Sequence, residues 1–448
     1  MSSNLEIHPL QVSIEQRKAR LGVIGLGYVG LPLAMMYGEV GFRVTGFDVD
    51  PSKVETLNRG GSYIKRILPE EIAQLRKQGF EATTDYSRVT EMDAIMICVP
   101  TPLNEHQGPD MTYIEETARA MAPYLRSGQL IILESTTYPG TTEEVLIPLL
   151  ESLNAVGLKA YRDGMDEAQC FHVAFSPERE DPGNTTVARI DIPKVVGAPS
   201  EPTRTLAGCL YQSIFRRIIP VSSTAAAEMT KLLENIYRCV NIALVNELKL
   251  LCQRMGLDIW EIIGAASTKP FGFQAFYPGP GLGGHCIPID PFYLSWKAKE
   301  VDFSTRFIDL AGEINTSMPY HVVDSVIAAL NDRSKSLKGS RVLVLGLSYK
   351  KDIDDLRESP SLALIELLRK RGAEVSYHDP YFPTVGHGRH YDLNMSCASL
   401  DELGGYDCIL ISTDHSDYDY ARIVGEAQLV VDTRNATKGI VAANVVRC

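Results

Sequence analysis

The feature that most restricts the fold is a regular alternation of short β-branched runs with stretches of helical spacing. The alternation begins at Arg20 and returns at Arg341, and it is typical of parallel sheets built from strand–helix–strand units. It therefore predicts two Rossmann-like sheets. The predicted strands are Leu21–Ile24, Arg43–Asp48, Ala94–Val99, Leu130–Glu134, His172–Phe175 and Lys194–Val196 in the first block, and Arg341–Leu345, Glu374–His378, Cys408–Ser412 and Leu429–Asp432 in the second.

One long helix is predicted between the two blocks. The stretch from Ser222 to Met255 contains no Pro or Gly, and its apolar residues recur at helical spacing. Ser222 or Ser223 is suited to the N-cap and Gly256 to the C-terminus. Because a helix in a globular protein usually has about a dozen residues, we expect this one to join domains and to bury one face against a second subunit.

The predicted architecture belongs to the α/β class: two Rossmann-like parallel-sheet domains, joined by a long central helix and a helical middle domain. A chain of 448 residues is too long for one ordinary core. We expect a polar N-terminal extension at 1–19, a Rossmann domain at 20–213, a helical domain at 214–331 and a second Rossmann-like domain at 332–448.

Composition excludes several classes of protein. The formal net charge of −12 argues against a nucleic-acid partner, since such proteins concentrate Lys and Arg on one face. No apolar run reaches the length of a membrane helix, and the N-terminus lacks the features of a secretory signal. The 9 cysteines have no disulfide-framework or metal-type spacing, so we expect reduced thiols, a cytoplasmic location and no metal site.

A dinucleotide site is predicted where Gly25, Gly27 and Gly30, in Gly-Leu-Gly-Tyr-Val-Gly, follow a strand and open a helix. Asp48 ends the next strand, where a carboxylate holds ribose hydroxyls and favours NAD over NADP. The alternative is a glycine-rich turn that binds no cofactor, which the strand, the spacing and Asp48 argue against. Further candidate contacts to the cofactor are Tyr28, Val29, Lys53, Val99, Pro100 and Thr101.

A candidate nucleophile, Cys286, lies in a glycine-rich loop with Asp290 four residues later. Bare glycines would let a bulky substrate approach the sulfur, although a lone cysteine is otherwise most often an inert buried thiol. Lys231 and Asn235 project from one face of the long helix, where the alternative is a solvated face. Nearby positive charge, with Lys231 as the candidate, would lower the pKa of a reactive thiol.

Two strand ends add polar groups. Glu178 stands in Ser-Pro-Glu-Arg-Glu-Asp-Pro-Gly, for which the alternative is a charged surface turn. Thr137 stands in Glu-Ser-Thr-Thr-Tyr-Pro-Gly, for which the alternative is a strand exit capped by hydroxyls. Both follow predicted strands at the carboxyl edge of the sheet, where ligands of such sheets bind.

These motifs together resemble the UDP-glucose/GDP-mannose 6-dehydrogenase family, and within it the UDP-N-acetyl-D-glucosamine 6-dehydrogenases of bacterial O-antigen synthesis. The resemblance runs from about Arg20 to the C-terminus. It is carried by GLGYVGLPLA, CVPTPL, ESTTYPGTTEE, FSPEREDPGN, AEMTKLLENIYR, KPFGF, YPGPGLGGHCIPIDPFYL and SYKKDIDDLRESPS. It implies a homo-oligomeric enzyme that uses NAD to oxidise the C6 alcohol of a UDP-sugar to a carboxylate.

The resemblance also implies residue roles. Cys286 would be the nucleophile with Asp290 as its partner, and Lys231 and Asn235 would hold the reacting end of the sugar. Glu178 would activate water for thioester hydrolysis. In addition, Thr137 would orient water or substrate and also adjoin the cofactor, Lys350 would contact UDP, Arg357 would reach NAD, and residues 277–284 would line the sugar pocket. The substrate contacts are then Glu178, Arg179, Lys231, Asn235, Tyr277, Gly279, Gly283 and Lys350.

One departure from the family pattern bears on the sugar. UDP-glucose members carry a second glutamate four residues after the first, where this chain has Pro182, and Glu180 and Asp181 are nearby acids. This favours an N-acetylated sugar, with UDP-N-acetylglucosamine ahead of UDP-N-acetylgalactosamine, and UDP-N-acetylmannosamine and UDP-glucose behind. Two other classes of function stay open: a dehydrogenase that removes a single hydride, and a non-catalytic NAD-binding sensor.

Overall fold

The computed structural model describes residues 8–104, 108–179, 187–284, 287, 289–388 and 391–448. The chain forms two compact units. The first runs to Leu233 and includes Lys299–Val301, and the second consists of Glu234–Ala298 and Asp302–Cys448. Among the described residues, no helix combines the length and the apolar character that crossing a membrane requires.

The helices are numbered in chain order. They are α1 Pro9–Glu15, α2 Gly30–Glu39, α3 Pro51–Asn58, α4 Pro69–Lys77, α5 Thr112–Met121, α6 Ile147–Leu153, α7 Glu201–Gln212, α8 Thr224–Met255, α9 Ile259–Ala266, α10 Asp290–Ala298, α11 Arg306–Asn331, α12 Pro360–Lys370 and α13 Tyr420–Glu426. A π-helical turn, Thr142–Leu146, leads into α6.

The strands are numbered in the same way. They are β1 Arg20–Ile24, β2 Arg43–Phe47, β3 Glu81–Thr83, β4 Ala94–Ile97, β5 Leu130–Leu133, β6 Lys159–Ala160, β7 Cys170–Phe175, β8 Lys194–Gly197, β9 Ile218–Val221, β10 Arg341–Leu345, β11 Glu374–His378, β12 Thr384–Gly388, β13 Tyr391–Ser396, β14 Cys408–Ile411, β15 Val430–Asp432 and β16 Val445–Arg447. Every strand predicted from the sequence is present, with its ends moved by at most two residues.

The sheet of the first unit runs in the order β3-β2-β1-β4-β5-β7-β8-β9, with β6 beside β7. Its pairings are parallel except that β7 and β8 are antiparallel, with Phe175 opposite Gly197. Strands β4, β5 and β7 are buried along their whole length because helices cover both faces. This explains the uninterrupted apolar runs of β4 and β5, and β7 is apolar except for His172. The reversal of β8 brings its first residue, Lys194, to the edge at which β5 and β7 end.

The second unit contains a parallel sheet in the order β11-β10-β14-β15-β16, which confirms the second predicted Rossmann-like block. Helices α11 and α12 pack together beside it, and Val322, Val326, Leu364 and Ile365 belong to its buried core. An antiparallel pair, β12 and β13, was not predicted from the sequence. Strands β3, β6, β9 and β16 were also not predicted.

The N-terminal region differs from the polar extension expected there. It contains α1, which begins after His8 with Pro9 in its first turn and buries Leu10 and Ile14 against α7. The apolar pair at i, i+4 gives the segment one buried face, so it folds onto the first unit. The three-domain division predicted from the sequence stays a prediction.

Helix α8 confirms the long helix predicted between Ser222 and Met255. The Ser223 hydroxyl accepts a hydrogen bond from the Ala226 N–H at 3.1 Å, so it caps the start of the helix. Gly256 ends it in the left-handed conformation with φ of 69°, and the Leu257 N–H returns to the Cys252 carbonyl at 2.9 Å.

Candidate active site

The glycine-rich loop after β1 has the geometry of a dinucleotide cradle. A Cβ on Gly25, whose φ is 89°, would lie 2.5 Å from the Cys98 carbonyl oxygen, and one on Gly30 would lie 1.9 Å from the Gly25 oxygen. A Cβ on Gly27, in contrast, would meet no atom within 4 Å. Gly25 and Gly30 thus permit close backbone packing, while Gly27 leaves open space in which a pyrophosphate can approach the backbone.

The start of α2 adjoins this loop. Its N-cap, Val29, makes no side-chain capping hydrogen bond, so the positive end of the helix dipole is available to an anion. Tyr28 is half exposed and lies 5.7 Å under the Arg66 guanidinium, while Arg66 donates to the Tyr28 carbonyl at 2.9 Å. The residues of the first unit therefore fit the phosphates of NAD.

Asp48 follows β2 and is buried beside the glycine loop. Its Oδ2 accepts the Leu26 N–H at 2.9 Å, its Oδ1 accepts the Asp50 N–H at 3.0 Å, and Lys53 Nζ is 3.6 Å from Oδ2. Because a carboxylate has about four acceptor sites, Asp48 retains capacity for ribose hydroxyls. Lys53, which was predicted as a cofactor contact, forms an ion pair with Asp48.

The ends of β4 and β5 are tied together. Ser135 Oγ donates to the Val99 carbonyl at 2.7 Å, and Thr101 Oγ1 donates to the Thr136 carbonyl at 2.6 Å, while Pro100 is exposed. Thr137 Oγ1 is buried and has no hydrogen-bond partner within the described part of the chain. A buried hydroxyl without a partner is unfavourable unless a ligand or water satisfies it. The Thr137 hydroxyl is therefore suited to binding a substrate or a water molecule.

Glu228 is a structural partner that the sequence analysis missed. Its carboxylate accepts the Gly140 N–H at 2.6 Å and the Thr142 N–H and hydroxyl at 2.9 and 2.7 Å. Burial raises the pKa of Glu228, and the bonds from Thr142 and Gly140 oppose that effect. The residue lies three positions before the buried Lys231 on α8, so it fixes the loop after Thr137 to the helical turn that carries Lys231. In the sequence, the signal that could have identified Glu228 is its i, i+3 spacing from another charged residue, Lys231, on the predicted helix.

A buried ionic network lies at the carboxyl edge of the first sheet. Lys194 Nζ is 2.6 Å from Glu134 Oε2 and 3.8 Å from Glu178 Oε2, and Tyr211 donates to Glu134 Oε1 at 2.5 Å. The Arg179 N–H donates to Glu178 Oε1 at 2.7 Å. The structure thus brings the predicted Glu178 and Arg179 together with Lys194, which sequence reasoning did not single out.

In the second unit, Asn235 and Asp290 meet. The Asn235 amide donates a hydrogen bond to Asp290 Oδ2, and Arg238 donates to Asn235 Oδ1. Asn235 and Asp290 are both buried. The contact fixes the helical turn of Asn235 to the residue that stands four positions after Cys286. Cys286 itself lies outside the described residues, as do Glu180, Asp181 and Pro182.

The glycine loop that precedes Cys286 packs against the second Rossmann-like fold. The Gly279 N–H donates to Asn246 Oδ1 at 3.0 Å, and a Cβ there would lie 2.7 Å from Arg434 Nη1. A Cβ on Gly283 would lie 2.6 Å from Tyr349 Cβ. A side chain at either position would therefore collide with protein atoms, so both positions require glycine.

The remaining predicted substrate and cofactor contacts also lie in the second unit. Tyr277 is exposed and stacks on Trp260 with ring centroids 5.9 Å apart. Lys350 is half-buried in the loop after β10. Arg357 pairs with Asp355 at 2.7 Å, and its carbonyl accepts the Gly284 N–H at 3.0 Å. Arg357 thereby connects this loop to the glycine loop before Cys286.

One group of possible metal ligands occurs among the described residues, formed by His8, Glu167 and His172. His8 Nδ1 accepts the Leu10 N–H at 3.0 Å, which leaves the hydrogen of the neutral ring on Nε2, the atom that faces Glu167 at 2.9 Å. An ion would require a lone pair at that nitrogen. We therefore treat the group as a contact between α1 and β7 and assign no ion to it.

Comparison with family models gives matches along most of the chain. Models of the UDP-glucose/GDP-mannose dehydrogenase family match at residues 19–215 for the NAD binding domain, 225–317 for the central domain and 343–439 for the UDP binding domain. The order of these models agrees with the order of the two Rossmann-like blocks and the helical middle.

Individual relatives are similar over nearly their whole length. The chain is 36% identical to a UDP-N-acetyl-D-mannosamine dehydrogenase of Pyrococcus horikoshii, covering 94% of this chain and 96% of the relative. It is 32% identical to a UDP-N-acetyl-D-glucosamine 6-dehydrogenase of Pseudomonas aeruginosa, covering 89% and 91%. A solved structure of the UDP-D-ManNAc dehydrogenase from P. horikoshii aligns with a TM-score of 0.83 at 34% identity, covering 95% of this chain and 97% of that one.

Proposed function

The chain belongs to the UDP-glucose/GDP-mannose dehydrogenase family, and we propose that it oxidises the C6 alcohol of a UDP-N-acetylhexosamine to the carboxylate for bacterial surface polysaccharide synthesis. Its NAD binding and UDP binding domains make it an NAD-dependent UDP-sugar dehydrogenase. The Asn235–Asp290 contact carries the proposal, because it fixes a predicted substrate-holding side chain to the residue that ends the Cys286 loop.

NAD supplies the chemistry of hydride acceptance when it is bound. Gly25, Gly27 and Gly30 and the start of α2 would hold its pyrophosphate, and Asp48 would hold a ribose hydroxyl. The open space over Gly27 and the remaining acceptor capacity of Asp48 support this assignment. Further contacts are proposed from Tyr28, Val29, Lys53, Val99, Pro100, Thr101, Thr137 and Arg357.

Conversion of an alcohol to an acid removes four electrons, and therefore two hydrides. Loss of the first hydride from C6, together with the hydroxyl proton, gives an aldehyde. The Cys286 thiolate would add to the aldehyde carbon, and the adduct would lose the second hydride to become a thioester. Water would then cleave the thioester, releasing the carboxylate and the thiolate. Covalent capture divides one difficult oxidation into easier steps.

The polar residues have distinct proposed roles. Lys231 and Asn235 would stabilise the oxyanion of each adduct, a contribution of about 3 kcal/mol per donor in other enzymes. Glu178 would take a proton from the hydrolytic water, and Asp290 would exchange protons at the thiol. Thr137 would orient the alcohol or the water, which its buried hydroxyl without a partner in the described structure supports.

The nucleotide and the sugar are proposed to be held mainly in the second unit. Lys350 would contact UDP, and Tyr277, Gly279 and Gly283 would line the pocket. Arg179 is proposed as a further substrate contact. For the sugar we propose UDP-N-acetyl-D-glucosamine first, since Pro182 replaces the second glutamate of UDP-glucose members and a 32% identical relative bears that name. UDP-N-acetyl-D-mannosamine is the alternative, which the name of a 36% identical relative favours. UDP-N-acetylgalactosamine and UDP-glucose follow.

A second copy of the chain is the proposed protein partner, and the cytoplasm the proposed location. Along α8, exposed apolar side chains form one stripe at about 100° per residue. They are Met229, Leu233, Tyr237, Leu244, Leu248, Leu251 and Met255. Buried polar residues occupy the opposite face of the same helix, namely Glu228, Lys231, Asn235, Asn246 and Lys249. An apolar face left exposed in a single chain supports a homodimer.

The proposed function predicts two NADH per sugar. The measurement is NADH production from UDP-GlcNAc, UDP-ManNAc, UDP-GalNAc and UDP-glucose at limiting sugar, with the acid product identified by mass spectrometry. One NADH per sugar would favour the single-hydride dehydrogenase, and NAD binding without turnover would favour a sensor. The sugar with the highest kcat/KM identifies the substrate.

Cys286→Ser tests the covalent step. Because a hydroxyl is a far weaker nucleophile than a thiolate, we expect acid formation to fall by at least about 100-fold, while NAD binding is unchanged. A suitable control is Cys397→Ser, at a half-buried thiol of the second unit. If Cys286→Ser forms acid at the wild-type rate, the thioester route is ruled out.

A further inference from the structure

Lys194 is a buried cation that the proposed mechanism has not used. The antiparallel direction of β8 brings its first residue to the sheet edge where β5 and β7 end. There the Lys194 side chain is 3% exposed, with Nζ 2.6 Å from Glu134 Oε2 and 3.8 Å from Glu178 Oε2. One ammonium therefore faces two carboxylates, of which Glu134 is fully buried and Glu178 is 21% exposed.

The surroundings keep this ammonium charged and in place. Burial disfavours its charge, but Glu134 and Glu178 outweigh burial and raise the pKa of Lys194. The rings of Tyr211 and Phe215 lie 5.0 and 5.6 Å from Nζ, and the Tyr211 hydroxyl donates to the other oxygen of Glu134. Glu134 is thus itself held, and it anchors Lys194.

Glu178 is restrained on both oxygens. Its Oε1 accepts the Arg179 N–H at 2.7 Å, and its Oε2 faces Lys194. Arg179 in turn donates from Nη1 to the carbonyl of Pro193, the residue before Lys194, at 2.6 Å. The short segment that carries Glu178 is therefore attached to the start of β8 by two interactions. They are the hydrogen bond from Arg179 to the Pro193 carbonyl and the ion pair between Glu178 and Lys194.

We propose that Lys194, anchored by Glu134, is a positioning residue that holds the Glu178 carboxylate ready to accept a proton during thioester hydrolysis. This inference rests on the proposed function of Glu178. In that step the water oxygen bonds to the thioester carbon, the carbon–sulfur bond breaks, and sulfur leaves as the Cys286 thiolate. One proton of the water passes to Glu178, and the other leaves when the carboxylic acid product ionises. The Glu178 carboxylate must therefore be charged and correctly placed beforehand.

A purely structural ion pair would need only Glu134. A lysine that reaches from a fully buried carboxylate to a partly exposed one connects the core to the site. Without it, Glu134 and Glu178 would stand near each other as like charges, which favours proton uptake by one of them. The proposal therefore predicts a defect in hydrolysis and not in hydride removal.

The test uses Lys194→Met in the full-length protein, with the UDP-sugar of highest kcat/KM. We expect kcat to fall by about 10- to 100-fold. Removing a general base entirely can lower the rate further, but Glu178 is still present in this variant. We also expect a rapid burst of two NADH per subunit and a sugar-nucleotide adduct on Cys286, detected by mass spectrometry of the intact quenched protein. Lys159→Met, at the exposed Lys159–Glu151 pair of the same unit, is the control and should turn over normally.

A second variant keeps the test valid if Lys194→Met does not fold. Lys194→Met combined with Glu134→Gln leaves no unpaired buried carboxylate at position 134, and it should accumulate the same adduct. Wild-type turnover by a folded Lys194 variant, or slow turnover without the adduct, would overturn the proposal. If the wild-type protein forms fewer than two NADH from every UDP-sugar, the proposed function itself fails, whatever the variants do.

Discussion

At the scale of single residues, the candidate site consists of polar groups removed from water. Such groups are tolerated when they bond to one another, as Asn235 does with Asp290 and Glu228 with Thr142. Thr137 Oγ1 differs, because it is buried without a partner in the described structure. A hydroxyl left in that state costs about 1–3 kcal/mol, so a bound ligand has a ready contact to make there.

The first residue-scale prediction concerns Asp48. Asp48→Ala removes an acceptor that would bond a ribose hydroxyl, and a hydrogen bond to a charged group contributes about 1.5–3 kcal/mol. We therefore expect the KM for NAD to rise by roughly 10- to 150-fold, with a smaller effect on the KM for the UDP-sugar. Steady-state kinetics with each substrate varied separately measures this difference.

Asp85→Ala is the matched control for Asp48→Ala. Asp85 also follows a strand of the first sheet, β3, and its carboxylate also accepts backbone N–H, that of Ser87 at 2.9 Å. Removing it should leave the KM for NAD unchanged. An unchanged KM in Asp48→Ala as well would place the ribose site elsewhere.

At the scale of elements, the sequence predicted the strands well and their surroundings less well. Periodicity and β-branched content identify a buried strand such as β4, but they carry no information on its direction. The antiparallel β8, and with it the position of Lys194 beside Glu134, therefore emerged only from the structure. The short strands β6 and β16 have too few residues to show a period.

The candidate site was predictable to a similar extent. Gly25 and Asp48 could be predicted because a dinucleotide site requires them at set positions after predicted strands. Asn235 could be predicted because it shares one face of the long helix with Lys231. Glu228 and Lys194 were missed because their partners are distant in sequence, 86 residues from Thr142 and 60 residues from Glu134 respectively. Helix α1 was missed because its two buried residues are a weak signal in a polar segment.

The element-scale prediction concerns the buried strand β7 and its pH dependence. His172 is fully buried there and bonds to the Thr203 hydroxyl at 2.8 Å, and burial lowers its pKa from 6.5 to about 4. Between these values the unfolded ring binds a proton and the folded ring does not, so stability falls as the pH is lowered. The expected loss is about 3 kcal/mol between pH 6.5 and pH 4.

Denaturant unfolding at several pH values measures this loss. His172→Gln removes the titrating ring, so the variant should show a pH slope smaller by about one proton between pH 6.5 and pH 4. His387→Gln, at an exposed ring of the second unit, should keep the wild-type slope. Identical slopes for wild type and His172→Gln would contradict the assignment of the acid sensitivity to β7.

At the scale of the whole molecule, the long helix α8 buries several polar groups among apolar residues such as Leu232 and Ile236, and it exposes a stripe of apolar side chains. Its buried face carries Glu228, Lys231, Asn235, Asn246 and Lys249, whereas its exposed face carries Leu, Met and Tyr side chains. The hydrophobic effect favours the reverse distribution in a helix exposed to water. The polar face is explained by the proposed chemistry, and the apolar face is explained if a second copy of the chain covers it.

Leu244→Glu combined with Leu251→Glu tests that explanation. These side chains are 51% and 51% exposed, on the same face of α8, and burying each in an interface would contribute up to roughly 1.5–3 kcal/mol. We expect the wild-type protein to have at least twice the mass of one chain by light scattering, and the variant the mass of one chain. Gln253→Glu adds a charge to the opposite face of α8 and should leave the mass unchanged. If the double variant keeps the wild-type mass, this stripe is not the interface, because paired glutamates inside an apolar contact would separate the subunits.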